Sequence, residues 1–223
     1  MRTLKAKVFV FDVDDTLYLE RTYVKSGFEA LEATAWNHWR VRDFAQRAWE
    51  CFEQGTRGDI FQRVLTAAGV EVSSDELAML VDGYRRHDPR IELLDDAQAC
   101  LARLPPNRCG VLTDGPSASQ NAKVNALGLR ERVSHVIVTA DHGPGWGKPG
   151  LPGFRALEQA LSSHGKDCVY FADNPLKDFE GPRALGWRTV RVRRPEGLHA
   201  RRPSGNDVDL ECASFAELAL EAG

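Results

Sequence analysis

Five short runs along the chain are apolar at nearly every position and rich in β-branched or aromatic residues. They are Lys7–Val13 (KVFVFDV), Cys109–Asp114 (CGVLTD), His135–Ala140 (HVIVTA), Cys168–Asp173 (CVYFAD) and Arg188–Arg193 (RTVRVR). A strand whose residues do not alternate between apolar and polar is covered on both faces, which is the habit of parallel sheets. Between the later runs lie segments with helical spacing: Ser119–Leu127, Leu151–Ser162 and Lys177–Leu185. Strand and helix in alternation predict an α/β domain, a Rossmann-like parallel sheet with helices on both faces. Ligands of such sheets sit beyond the carboxyl ends of the strands. The first, second and fourth runs end there in Asp12, Asp114 and Asp173.

The interval 20–105 has a different pattern. It has helical spacing throughout, at Tyr23–Trp36, Asp43–Phe52, Ile60–Ala68 and Ser74–Arg85, the last with Ser74 as an N-cap ahead of Asp75 and Glu76. Trp36, Trp39 and Trp49 fall in it and read as the core of a small bundle. The expected organisation is a core of 1–19 and 106–223, interrupted after its first strand by an all-helical insert of 20–105.

Composition narrows the function classes. Lys and Arg number 29 against 32 Asp and Glu, a net charge of −3 over 223 residues. No basic excess points to nucleic acid or an anionic membrane. No apolar run approaches the roughly 18 residues of a membrane span, and Val8–Phe11 is too short for a signal peptide. A cytoplasmic chain is expected. The five cysteines, Cys51, Cys100, Cys109, Cys168 and Cys212, show no CxxC or Cys/His metal spacing. The stretch Arg191–Arg202, with five arginines, reads as a solvated loop.

Four segments carry candidate chemistry. Asp12, Asp14 and Asp15 crowd the end of the first strand, and three carboxylates there need compensation, for which Mg²⁺ with its hard oxygen ligands is suited. Thr113, Asp114 and Gly115 place a hydroxyl at a strand end, followed by a glycine that lets backbone approach an anion. Lys148 stands alone in a Gly/Pro-rich loop, and Asp173 and Asp178 follow the fourth strand. Each segment is weak alone; their order makes them strong together.

In that order the chain resembles the haloacid dehalogenase (HAD) superfamily. Asp12, Asp14 and Thr16 match its Asp-x-Asp-x-Thr motif, Thr113 the hydroxyl-ended strand, Lys148 the lysine motif, and Asp173 with Asp178 the acidic pair. The helical insert falls where that family places a C1-type cap. The resemblance implies a phosphatase. Dehalogenases of the family usually carry Tyr where this chain has Asp14, and the aldehyde-forming phosphonatases need a cap lysine, where Lys25 alone is present and too near the first motif. By resemblance, Asp12 is the nucleophile and Asp14 the acid–base. Thr113 and Lys148 neutralise the phosphoryl oxygens, and Mg²⁺ sits at Asp12, the Asp14 carbonyl and Asp173, with Asp178 mainly in its outer shell. Asp114, Gly115, Arg57 and Tyr18 are candidate substrate contacts, with Arg21 and His142 behind them. The expected partner is a small phosphorylated metabolite such as a sugar, nucleotide or polyol phosphate. A phosphomutase and a non-catalytic binding domain are the alternative readings, and oligomeric state is not legible.

Overall fold

The computed structural model describes residues 2–223. After β1 (Arg2–Ala6) the chain enters β2 (Val8–Phe11), whose four residues are all buried. The later strands are β3 (Cys109–Thr113), β4 (His135–Val138), β5 (Cys168–Ala172), β6 (Arg188–Val192) and β7 (Leu210–Cys212). Strands β2–β7 form one sheet in the order β4-β3-β2-β5-β6-β7, parallel throughout. The chain winds outward from β2 in one direction, then resumes at β5 on its other side. That reversal opens a crevice at the carboxyl ends of β2, β3 and β5.

Register brings those ends level. Phe11 lies opposite Val111 on β3 and Phe171 on β5, and the Asp12 amide extends the ladder to the Phe171 carbonyl at 2.8 Å. Successive side chains leave opposite faces of the sheet. Val8, Val10, Leu112 and Tyr170 pack on one face with Phe154 and Trp187. On the other, Phe11 stacks on Phe171 with centroids 5.1 Å apart, and both meet Phe215. Each such ring contributes roughly 2–3 kcal/mol by leaving water, so the crevice stands on a rigid floor.

Residues 21–90 form a second compact unit, apart from the unit made by residues up to Glu20 and from Ile91 onward. It contains α1 (Glu20–Trp39), α2 (Phe44–Glu53), α3 (Ile60–Ala67) and α4 (Ser74–Arg86). Its core is Phe28, Leu31, Phe44, Phe52, Val64, Leu65 and Leu80. Trp39 and Trp49 pack at the margin and Trp36 is 37% exposed, so phenylalanine and leucine, not tryptophan, fill the centre. The α4 cap is Ser73, one residue earlier than expected, in a reciprocal capping box with Glu76. Asp43, left-handed at φ 56°, gives α2 no side-chain cap; Glu32 accepts the Ala45 amide at 2.7 Å instead.

Three features differ from expectation. The helix α5 (Asp95–Arg103) belongs with the sheet, so the insert ends at Arg90 and not at residue 105. Asp96 on its first turn is the reason: its Oδ2 accepts from Arg194 at 2.6 Å, Ser214 at 2.6 Å and the Phe215 amide at 2.7 Å. A second ribbon pairs β1 with β8 (Leu218–Ala222), in parallel. Finally, the arginine-rich stretch is not a solvated loop: Arg191 and Arg194 are buried. Arg191 donates to the carbonyls of Asp173, His199 and Arg202, while Arg194 donates twice to the Thr16 carbonyl. The five cysteines are free thiols, and no helix of the described residues is long and apolar enough to cross a membrane.

Candidate active site

Two neighbouring strands, β2 and β5, deliver their carboxylates to one place. Asp12 follows β2, and Asp173 and Asp178 follow β5; one oxygen from each lies within 4.8 Å of the others, all buried. Lys148, from the loop after β4, reaches in with none of its side chain exposed, 2.7 Å from Asp12 and 2.7 Å from Asp178. Its third partner is the Tyr170 hydroxyl at 3.1 Å. Burial alone would lower the ammonium's pKa, but Asp12 and Asp178 hold it well above the ordinary lysine value. Among the described residues it is the one buried cation paired within this carboxylate cluster, and the excess negative charge shows in the protonation of Asp173 and Asp12. Burial, with Asp178 and Asp12 beside it, pushes Asp173 up to about 10. Burial likewise raises Asp12 to about 6, against the pull of Lys148. A compact, dry, oxygen-only donor set with surplus negative charge suits a hard divalent cation. The residues fit the metal.

Asp14 is held differently. Its Oδ1 accepts from Tyr18 at 2.5 Å and Lys123 at 2.6 Å, and its Oδ2 from Gln120 at 2.9 Å. Burial opposes the charge, yet Lys123 and these hydrogen bonds outweigh it and bring the pKa below the usual carboxylate value. The two motif carboxylates thus sit in opposite regimes, Asp12 held part-way to protonation and Asp14 ionised. The Thr113 hydroxyl donates to the Gln120 carbonyl at 2.8 Å, so it braces the amide that holds Asp14. A side chain at Gly115 would come within 2.7 Å of Gln120 Nε2; the glycine makes room for that brace.

The neighbouring Asp15 adopts φ 50°, and its carboxylate accepts the amides of Glu20 at 2.9 Å and Leu198 at 2.7 Å. With Arg194 on Thr16, the arginine-rich loop is laced to the first motif from the far end of the sequence. Asp114 has both oxygens engaged, by Thr139 at 2.6 Å and Lys177 at 3.2 Å.

The structure therefore gathers Asp12, Lys148, Asp173 and Asp178 into one cluster, with Asp14, Tyr18, Thr113 and Gly115 in the network beside it. Arg57, in the helical unit, donates to the carbonyls of Phe52 and Thr56 and lies 3.9 Å over the Phe52 ring. Arg21 pairs with Glu53 at 2.5 Å, and His142 stacks on Trp146. Gln120, Lys123, Tyr170 and Lys177 were not read from the sequence. Gln120 and Lys123 did leave a signal: they sit three apart on α6 (Ser117–Ala126), sharing its buried positions with Val124.

A family model described as a haloacid dehalogenase-like hydrolase matches residues 6–186. Among curated proteins, the glyceraldehyde 3-phosphate phosphatase of Methanocaldococcus jannaschii is 26% identical over 203 residues, covering 83% of this chain and 84% of that one. The enzyme of the same name from Methanopyrus kandleri is 26% identical over 218 residues, covering 92% and 90%. Among solved structures, YfnB from Bacillus subtilis bound to magnesium aligns with a TM-score of 0.69 at 20% identity, over 96% of this chain and 97% of that one. CbbY from Rhodobacter sphaeroides in complex with phosphate aligns at 0.63 and 19% identity, over the same shares. These two structures support the fold.

Proposed function

The chain belongs to the haloacid dehalogenase-like hydrolases, and on that premise we propose that it hydrolyses the phosphate monoester of a small phosphorylated metabolite through an aspartyl-phosphate on Asp12. The observation that carries this reading is the Asp12 carboxylate at the end of the central strand, ion-paired to a buried Lys148 and facing Asp173. Asp12 attacks phosphorus, the ester oxygen leaves, and water then cleaves the acyl phosphate, two lower barriers in place of one. Asp14 accepts the proton of the attacking water and hands that proton to the leaving oxygen of the next ester, so the acid form it needs is made by the second half of each turnover. The ionised, Lys123-paired Asp14 is the form from which that second half starts. Mg²⁺ would be held by Asp12, the Asp14 carbonyl and Asp173, with Asp178 behind them; when bound it neutralises developing phosphoryl charge. Tyr18 and Gln120 aim Asp14, and Lys148 fixes the nucleophile's orientation.

The two curated relatives make three-carbon phosphates the first substrates to try. Phosphate release from glyceraldehyde 3-phosphate, sugar, polyol and nucleoside monophosphates and p-nitrophenyl phosphate should be measured with Mg²⁺ and with excess EDTA. Release that depends on the metal is expected. A folded, metal-loaded protein that releases phosphate from none of them overturns the reading.

The protonation of the cluster adds a second expectation. Asp12 at about 6 and Asp173 at about 10 lie above the ordinary 3.8, so the metal-free fold binds protons that the unfolded chain does not. Their contribution to stability is complete below the unfolded value and is lost as pH rises through the folded values. Mg²⁺ must displace those protons. The rise in Tm that Mg²⁺ produces should therefore grow from about pH 5.5 to about pH 8.5; a pH-independent rise would place the metal elsewhere.

A further inference from the structure

A carboxylate that serves a metal site has to be held in place, and the three of this cluster are held unequally. Asp12 accepts from Lys148 at 2.7 Å, and Asp178 accepts the Asn174 amide at 2.9 Å. The Asp173 carboxylate, though buried, has neither a hydrogen bond nor an ion pair among the described residues. Its position is set through its backbone, and there it meets a guanidinium. Arg191 Nε donates to the Asp173 carbonyl at 2.9 Å.

Arg191 sits where a cation is hard to keep. It lies on β6 opposite Ala172, the last residue of β5, between Val190 and Val192, and none of it is exposed. Its other donors go to neutral oxygens: the carbonyls of His199 at 2.8 Å and Arg202 at 2.9 Å, and the Ser204 hydroxyl at 2.8 Å. Glu211 stands off at 3.7 Å. A strand that had only to pack would carry Val or Ile at this position, because a buried guanidinium gives up its hydration. The same segment has a second arm. Arg194, also buried, donates to the Thr16 carbonyl at 2.9 and 3.3 Å and pairs with Asp96 at 2.6 Å. The Leu198 amide reaches Asp15 at 2.7 Å. Residues 191–204 thus grip the backbone at both turns from which the metal ligands of the proposed site come.

We propose that Arg191 and Arg194 are positioning residues that hold these two turns at the spacing Mg²⁺ requires, with Arg191 fixing Asp173. This deepens the phosphomonoesterase reading and rests on its metal site. Both arginines act through backbone carbonyls. Charge and anchoring predict opposite signs for the loss of Arg191. A guanidinium beside a dication site repels the ion, so as a charge its removal tightens binding. As an anchor its removal frees Asp173, and such outer partners of metal ligands typically contribute about 10–100-fold in affinity.

Mg²⁺ and Ca²⁺ are the probes, bound to the full chain without substrate and followed by titration calorimetry and by the rise in Tm. In Arg191→Met the Kd for Mg²⁺ should rise about tenfold or more. Ca²⁺ accepts irregular coordination where Mg²⁺ demands an octahedron, so it should lose less and the preference for Mg²⁺ should narrow. Arg191→Lys keeps the charge but lacks the planar fork. Its Kd for Mg²⁺ should rise too, and it carries the test alone if the Met variant does not fold. Arg194→Lys should move Mg²⁺ in the same direction. Arg193→Met removes a neighbouring arginine whose side chain binds the Ala200 carbonyl and Glu211; it should bind Mg²⁺ as wild type does. Wild-type Mg²⁺ affinity in Arg191→Lys, or tighter binding in Arg191→Met, overturns the proposal. Equal losses of the two ions in Arg191→Met also overturn it. If the wild-type protein binds Mg²⁺ yet hydrolyses no ester, the phosphatase reading fails while these affinities still decide the role of Arg191. A wild-type protein that binds no Mg²⁺ overturns both.

Discussion

An Asp12→Asn protein is expected to fold, keep its thermal stability, and lose turnover by roughly 10⁴-fold or more. The two halves of that result have separate physical causes. Activity goes because an amide nitrogen or oxygen in place of the carboxylate cannot form the acyl phosphate. Stability stays because the native carboxylate is a burden where it sits: burial raises its pKa to about 6, so at pH 8 the fold holds that charge at a penalty. Asparagine keeps the shape, and Lys148 keeps Asp178 as its counter-ion at 2.7 Å. Residual turnover above a few per cent would exclude the covalent route. A metal-free Tm well below wild type at pH 8 would mean that the Asp12–Lys148 pair is a net stabiliser.

Replacing the other partner should have the opposite signature. Lys148→Met leaves Asp12 and Asp178 buried with their cation removed, and breaking a buried pair from one side typically loses about 3–5 kcal/mol. Urea unfolding at pH 8 should show that loss. The sign of its pH dependence follows from the orphaned acids. Without Lys148 the folded pKa of Asp12, already raised to about 6, rises further above the unfolded value, so the deficit is present at high pH and is relieved as acid protonates the carboxylate. At about pH 5 most of the difference should close. Asp178→Asn in the same chain should recover stability at pH 8, and the double-mutant cycle would give the coupling directly. A Lys148→Met protein as stable as wild type at pH 8 would mean that the cluster is wetter than its burial indicates.

The sequence disclosed the parts of this site that are fixed by chain direction. A carboxylate that follows an unbroken apolar run lands at a strand's carboxyl end whatever else happens, so Asp12, Asp173 and Asp178 could be placed before any coordinates. Lys148 could be placed only by its order among the four segments and the family resemblance they carry, since a lone lysine in a Gly/Pro loop otherwise reads as solvent-exposed. What remained hidden depends on partners remote in sequence. Lys123 meets Asp14 across 109 positions, and Arg194 meets Thr16 across 178. Nothing local distinguishes a buried arginine from a solvated one, so the stretch from Arg191 read as surface. The strand β8, LALEA, is made of good helix formers and is a strand because β1 offers it an edge. The assignment of α5 turned on a single acid, Asp96, whose partners lie about a hundred positions later.

The place of β2 between β3 and β5 also bears on how the protein is made. The segment VFVF leaves the ribosome about 160 residues before one of its two neighbours, Cys168–Ala172. Until then a flat, wholly apolar strand has an unsatisfied edge, the kind of surface that pairs with other chains. Chains that stall or are cut before Cys168 should therefore be insoluble, whereas losses beyond β6 leave both edges of the nucleophile strand covered.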